Sequence, residues 1–330
     1  MTNVAVIGAT TWGTTVGWLL ARQGVPVTIW ARREARAKEL ELQEKATRPS
    51  RSHPIVFTHS LDKALYHADL VIWGIPSQGI RQNIRIARDH LPKSAILVSL
   101  AKGLEANTGK RMSEIITEEV PAELKGRICI LSGPNLSQEI RRDLPATTIL
   151  ASQDIAVASY VQNLLNSDLF YAFTSNDVVG VELCGALKNV IALGAGMTDG
   201  LGLGDNAKSA FITLGWADVL ALGLAMGAQT STIYGLAGLG DVFATSASNL
   251  SRNHHVGFEV AKGRKVEHVL ASMENVAEGV DTTMAVNLLS KKYRVHTPIL
   301  NLVNTLLFNP MQPEAMVRLF KDALKTGHGA

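Results

Sequence analysis

Short apolar runs of strand length recur along the first half of the chain, set apart by stretches of helix length. Residues 3–7 read NVAVI, too short for a helix and followed by glycine. Residues 13–23 then place Val16, Leu19 and Leu20 at helical spacing, with Gly24 as a cap. VPVTIW at 25–30 reads as a second strand. LVIW at 70–73, AILVSL at 95–100, RICIL at 127–131, TTIL at 147–150 and LFYAF at 169–173 continue the series. Strands alternating with helix-length spacers predict βαβ units, and so an α/β domain with a Rossmann-like, doubly wound, mostly parallel sheet. From about Asn176 the series stops. GVELCGALKNVIALGAG, SAFITLGWADVLALGLAMG and the segments after residue 255 carry helical patterns, joined by glycine-rich links such as GLAGLGD. The pattern therefore predicts two domains, an α/β one over 1–175 and an all-helical C-terminal one over 176–330, with KTGHGA as a frayed tail.

Composition narrows the class. The 330 residues are 46% hydrophobic and 18% charged, enough for two cores. A formal charge of +3 is too weak to argue for nucleic acid, and no nucleic-acid partner is expected, but it admits small anionic substrates where the charge is concentrated. Cys129 and Cys184 both lie in apolar runs, as buried thiols in a reducing compartment do. No basic leader precedes the first strand. The apolar stretch 190–239 is broken by Asp199, Asp205, Lys208 and Asp218 and reads as core helices rather than a membrane span. A cytoplasmic protein is expected.

GATTWG at 8–13 follows a strand and opens a helix, the context of a dinucleotide turn. Gly8 would make the tight turn, and Gly13 would let the helix pack close. The helix N-terminus would face a pyrophosphate with free N–H groups and a positive dipole end. The middle glycine is replaced by Thr10. A negative φ is expected at Thr10, with the loop slightly withdrawn or the hydroxyl facing the phosphates; a positive φ would carry strain of about 1–3 kcal/mol. The second strand ends in Trp30-Ala31-Arg32-Arg33-Glu34, with no acid at its tip. Two arginines there suit a 2′-phosphate, which favours NADP. Glu34 is within reach of a ribose, so NAD stays open.

Ligands of an open parallel sheet bind beyond the carboxyl ends of its strands. Five of the runs end in small or polar residues, among them Gly74-Ile75-Pro76-Ser77, Ala101-Lys102-Gly103 and Ser132-Gly133-Pro134-Asn135. Lys102 is the one lysine at such an end. In the second half Lys188 sits in apolar sequence, either snorkelling or desolvated into a general acid or base. Asp241 follows GLAGLG, as an N-cap or as a site residue, with Thr245 one turn on. Ser251-Arg252-Asn253 joins a hydroxyl, a guanidinium and an amide in a phosphate grip. The adjacent His254 and His255 point apart on a helix, which favours a surface reading. No metal-ligand spacing is evident among the nine histidines, and no metal is required.

Taken together, GATTWGTT, SLAKGLE (99–105), LSGPN (131–135), GALKNVIALGAGMTDGLGLGDNAKSAFIT (185–213), GLAGLGD (235–241) and SRN (251–253) resemble the NAD(P)-dependent glycerol-3-phosphate dehydrogenases of the bacterial and plastid type. The resemblance covers nearly the whole chain. It implies oxidation of sn-glycerol 3-phosphate and the reverse reduction of dihydroxyacetone phosphate, a supply line for glycerophospholipid synthesis. Lys188 matches the catalytic lysine, and Lys102 a lysine touching cofactor and substrate. Asp241, Ser251, Arg252 and Asn253 match substrate contacts, with Arg252 also near the cofactor. Gly133 falls among both substrate and cofactor positions. Thr11, Trp12, Arg32, Arg33, Val276 and Glu278 match cofactor contacts, and Ser137 a further one. Three departures stand out: Thr10, the stretch 46–59 without the family's tyrosine-leucine-proline segment, and Leu214 where many relatives carry arginine. On this reading Lys188 gives a proton to the forming alkoxide, Lys102 adds positive charge, and Asp241 orients Lys188 or a substrate hydroxyl. Two rivals remain: a two-domain hydroxy-acid dehydrogenase with a carboxylate clamp, and a non-catalytic NADP sensor. A homodimer is the default expectation.

Overall fold

The strands Val4–Ile7, Leu70–Trp73, Ile96–Ser99 and Ile128–Ser132 are buried at every position and apolar but for a closing serine in the last two, as a parallel sheet covered on both faces demands. The computed structural model describes residues 2–47, 53–246, 251–273 and 275–326. The chain divides into two units, Met1–Ala101 with Met112–Val178, and Lys102–Arg111 with Val179–Ala330.

The first unit holds β1 (Val4–Ile7), β2 (Val27–Trp30), β3 (Ile55–Thr58), β4 (Leu70–Trp73), β5 (Ile96–Ser99), β6 (Ile128–Ser132), β7 (Ala146–Ala151) and β8 (Phe170–Ser175). They form one sheet in the order β3-β2-β1-β4-β5-β6-β7-β8, parallel throughout except between β6 and β7. The first six strands have the 3-2-1-4-5-6 order of a dinucleotide-binding sheet. Ile7 pairs with both Trp30 and Trp73, so β1, β2 and β4 finish level at their carboxyl ends. Helices α1 (Thr11–Arg22), α2 (Glu34–Thr47), α3 (Leu61–Leu65), α4 (Ile80–Ala87), α5 (Met112–Glu119), α6 (Ser137–Ile140) and α7 (Ile155–Leu165) link the strands. Val6, Val16, Leu20, Ile29, Ile72 and Val98 lie in one buried cluster between sheet and helices.

β3 has no counterpart among the strands expected from the pattern. It is an edge strand, and its Val56 is exposed, so IVFT lacks the unbroken burial that marks the inner strands. Within the departing stretch 46–59, residues 48–52 lie outside the described residues.

The second unit contains α8 (Val178–Gly200), α9 (Gly204–Ala225), α10 (Thr230–Ile233), α11 (Asp241–Ser246), α12 (Arg252–Ala261), α13 (Val266–Ala271), α14 (Gly279–Tyr293), α15 (Pro298–Phe308) and α16 (Pro313–Thr326), with no strand among the described residues. Leu187, Ile191, Phe211, Val256, Ile299 and Phe320 centre its core. The expected tail begins inside α16, and its last four residues, 327–330, lie outside the described set.

The division departs from the expected 1–175 and 176–330 in one respect. Lys102–Arg111 belongs with the helices although it follows β5 directly. The reasons are local. Leu104 is fully buried in the helical core, and Arg111 forms a 2.8 Å ion pair with Glu182 of α8, whose side chain is buried.

Two helices have the length and hydropathy of a membrane span, Val178–Gly200 and Gly204–Ala225. The most apolar stretch of the first is 94% buried inside the protein, which makes it a core helix; that of the second is 39% buried. Leu214, where relatives were expected to carry arginine, is buried in the same core.

Candidate active site

In the first unit, the turn after β1 is built by backbone. Gly8 adopts φ +113°, and a Cβ there would lie 2.7 Å from the Gly74 carbonyl oxygen and 2.3 Å from Ile75. A Cβ on Gly13 would lie 2.6 Å from the Gly8 oxygen, so α1 starts hard against the turn. Thr10 lies at φ −76° and ψ 164°, the extended conformation of an N-cap. Its hydroxyl accepts from Gly13 N at 3.1 Å and donates to the Gly74 carbonyl at 2.6 Å. The expected negative φ is present, but the hydroxyl is spent on α1 and β4 instead of facing phosphate.

The first turn of α1 has no acid. Beside it, Thr11, Thr14, Ser137, Gln138, Arg141 and Arg142 line a cleft of about 290 Å³. The indole Nε1 of Trp12 and the Ser132 hydroxyl are buried with no hydrogen-bond partner among the described residues. Gly133, at φ +151°, leaves only 3.1 Å between its Cβ position and Thr148 Cα. Asn135 steadies that loop by donating to the Thr147 carbonyl at 2.8 Å and accepting from the Thr148 hydroxyl at 3.0 Å. Arg32 and Arg33 are exposed just past β2. Glu34 is held by Lys38 at 2.8 Å, and that contact lowers its pKa. The glycine cradle, acid-free helix start and paired arginines fit a dinucleotide.

In the second unit the site is made of side chains. Lys188, on α8, is buried, with its Nζ 2.5 Å from Asp241 Oδ1 and 2.5 Å from the Thr245 hydroxyl. Lys102 Nζ takes the other Asp241 oxygen at 2.7 Å, so one carboxylate serves two ammonium groups. Desolvation dominates at Lys188. Asp241 opposes it and Lys102 adds to it, and the pKa falls to about 8. Arg252, exposed at the start of α12, lies close enough to push in the same direction. One π-helical turn, Leu236–Gly240, precedes α11 and delivers Asp241 to this point; such turns recur at functional sites.

A ring of hydrogen bonds holds the segments in place. Lys102 N donates to Glu278 Oε2 at 3.0 Å, and its carbonyl accepts from Asn189 Nδ2 at 2.8 Å. Asn253 Nδ2 donates to Asn189 Oδ1 at 2.9 Å, while its Oδ1 accepts from Gly279 N at 3.0 Å. Ser251 caps α12 by accepting from His254 N. The phosphate grip read from SRN thus resolves into different jobs: Ser251 and Asn253 are engaged inward, and Arg252 is the exposed member. Val276 is exposed on the loop before Glu278.

Of the residues named from sequence, Lys102, Lys188, Asp241, Ser251, Arg252, Asn253 and Glu278 all lie in the second unit. Gly8, Thr10, Thr11, Trp12, Gly13, Arg32, Arg33, Gly133 and Ser137 lie in the first. Asn189 was missed, though it adjoins Lys188 in the quoted motif. Thr245 was noted only as a neighbour of Asp241. His254 departs from its surface reading: its side chain is 15% exposed and bonds Asp199, because α12 packs that side on α8, while His255 is exposed.

A nucleotide-binding sheet with a glycine turn, on one chain with a buried lysine–carboxylate cluster, defines a dinucleotide-dependent oxidoreductase. Comparison with known proteins makes this specific. The profile of the NAD-dependent glycerol-3-phosphate dehydrogenase N-terminus matches residues 3–158, and that of the C-terminus matches 177–318. The glycerol-3-phosphate dehydrogenase [NAD(P)+] of Dehalococcoides mccartyi is 45% identical over 331 residues, covering 99% of this chain and 92% of that one. The enzyme of the same name from Pelotomaculum thermopropionicum is 39% identical, covering 98% and 94%. The crystal structure of glycerol-3-phosphate dehydrogenase from Coxiella burnetii aligns with a TM-score of 0.88 at 27% identity, over 98% of this chain and 99% of that one. The chain belongs to the NAD-dependent glycerol-3-phosphate dehydrogenase family. A ketopantoate reductase from Ralstonia eutropha shares the fold alone, with a TM-score of 0.62 at 15% identity.

Proposed function

We propose that the chain catalyses reversible hydride transfer between NAD(P)H and dihydroxyacetone phosphate, giving sn-glycerol 3-phosphate. The observation that carries this reading is Lys188, buried, near a pKa of 8, and sharing Asp241 with Lys102. Bound NAD(P)H would supply the hydride. Lys188 donates a proton to the C2 oxygen as it becomes an alkoxide, and takes it back in the oxidation. Lys102 adds positive charge where the oxygen turns negative. Asp241 holds both lysines and keeps Lys188 charged despite its burial. Arg252 pairs with the substrate phosphate, helped by the first-turn N–H groups of α12.

Cofactor preference is part of the reading. Arg32 and Arg33 would take a 2′-phosphate, while the Lys38 contact occupies Glu34, so NADP is favoured over NAD. Gly8, Gly13, Thr11 and Trp12 would hold the pyrophosphate end, with Gly133, Ser137, Val276 and Glu278 as further contacts. The product would feed glycerophospholipid synthesis. A cytoplasmic setting is consistent with Cys129 and Cys184 being buried in separate units. A homodimer completes the reading; exposed Leu224, Tyr234 and Phe243 are side chains that a subunit contact would cover, and light scattering tests it. Steady-state kinetics with dihydroxyacetone phosphate, comparing NADPH with NADH, tests the activity. A wild-type protein that oxidises neither cofactor with this substrate overturns the reading.

A further inference from the structure

Arg252 is an exposed side chain on the first turn of α12, so its aim depends on how that helix is held. The backbones of α8 and α12 touch. A Cβ on Gly196 would lie 2.0 Å from the His254 carbonyl oxygen, and one on Gly257 would lie 1.9 Å from the Leu193 oxygen. This contact sets the distance between the helices.

Two side-chain bridges flank the crossing. Asn253 to Asn189 is one. The other is His254, whose Nε2 lies 2.8 Å from Asp199 Oδ2 on the last turn of α8. Asp199 is itself anchored, its Oδ1 accepting from Lys208 Nζ of α9 at 3.0 Å. One carboxylate therefore ties α8, α9 and α12 together. His254 stands two positions after Arg252, about 200° round the helix, so a roll that breaks the histidine bridge swings the guanidinium. A roll of about 20° moves a group at the outer radius of about 5–6 Å by about 2 Å. Displacements of that size weaken a positioned contact severely.

We propose that Asp199 and His254 are positioning residues for the substrate phosphate: their bridge fixes the roll of α12 and so the aim of Arg252. The proposal rests on the reading that Arg252 holds that phosphate. It separates from a merely structural role because it concerns one substrate group only.

The test compares dihydroxyacetone phosphate with dihydroxyacetone, which lacks the phosphate, in wild type and in Asp199→Ala, His254→Ala and His254→Gln. Both alanine variants should raise KM for dihydroxyacetone phosphate about tenfold while kcat stays within about twofold. Their kcat/KM for dihydroxyacetone should stay within about twofold of wild type. His254→Gln, whose amide can donate to Asp199, should recover most of the loss. Should Asp199→Ala not fold, His254→Ala carries the test, because Lys208 still faces Asp199. An unchanged KM in the alanine variants, or equal losses on both substrates, overturns the proposal. A wild-type protein that does not reduce dihydroxyacetone phosphate overturns the functional reading first, and this one with it.

Discussion

The dinucleotide turn of the first unit and the lysine cluster of the second are built on opposite plans. The turn is contiguous, residues 8–13, and its surfaces are backbone: Gly8 and Gly13 are defined by what a Cβ would strike. The cluster joins side chains from positions 102, 188, 241 and 245, none adjacent in sequence, around one buried carboxylate. The first plan is indifferent to most side chains and intolerant of added volume. The second depends on converging side chains and is intolerant of lost charge. Substitutions at the two places should therefore fail in different measurements.

Lys188→Ala should show the largest effect. It removes the proton donor, a contribution of about 10²–10⁴ in rate, and should lower kcat by that order. NADPH affinity, read by fluorescence titration, should stay within about threefold. Near-normal turnover would sink the assignment, and a large loss of NADPH binding would blur the distinction between the two sites. Asp241→Asn should come next. Breaking a buried ion pair costs about 3–5 kcal/mol, because the remaining charge is stranded, and here two ammonium groups are left. Urea unfolding should report that loss together with lower activity; a variant as stable as wild type would show that Asp241 does not hold the lysines.

The pH dependence sharpens the second plan. Burial lowers the Lys188 pKa to about 8, so below that value the group holds the proton that ketone reduction consumes. For reduction, kcat/KM should be flat below about pH 8 and fall about tenfold per unit above it. Glycerol 3-phosphate oxidation needs the neutral amine, so its kcat/KM should rise with pH through the same value. Parallel profiles for the two directions would remove Lys188 from proton transfer.

Legibility in the sequence follows the same divide. Strands β1, β4 and β5 could be read because they are buried on both faces and apolar but for Ser99. Edge strand β3, half exposed, could not. Lys188 and Asp241 were visible as charges in apolar or glycine-rich surroundings. The Asn189–Asn253 bridge and the Asp199–His254 pair were not, because polar residues on helices give no periodic signal of a partner 64 or 55 positions away. For the same reason Lys102–Arg111 could not be assigned to the helical unit: its anchor is Glu182, a residue 71 positions on.

Thr10 gives the smallest effect and the closest test of the first plan. A dinucleotide turn with threonine in place of its middle glycine should fail if that position needs positive φ. It does not, since Thr10 sits at −76°. The residue serves as N-cap of α1 and stitches that helix to the end of β4 through Gly13 N and the Gly74 carbonyl. Glycine at an N-cap costs only a few tenths of a kcal/mol, and one lost hydrogen bond about 1 kcal/mol. Thr10→Gly should therefore destabilise the protein by about 1 kcal/mol in urea unfolding, Thr10→Ser by less, and both should bind NADPH within about twofold of wild type. The opposite outcome, NADPH weakened more than about tenfold by Thr10→Gly at unchanged stability, would make the hydroxyl a phosphate ligand. The turn would then depend on a side chain as the lysine cluster does, and the contrast between the two sites would fail at its most exposed point.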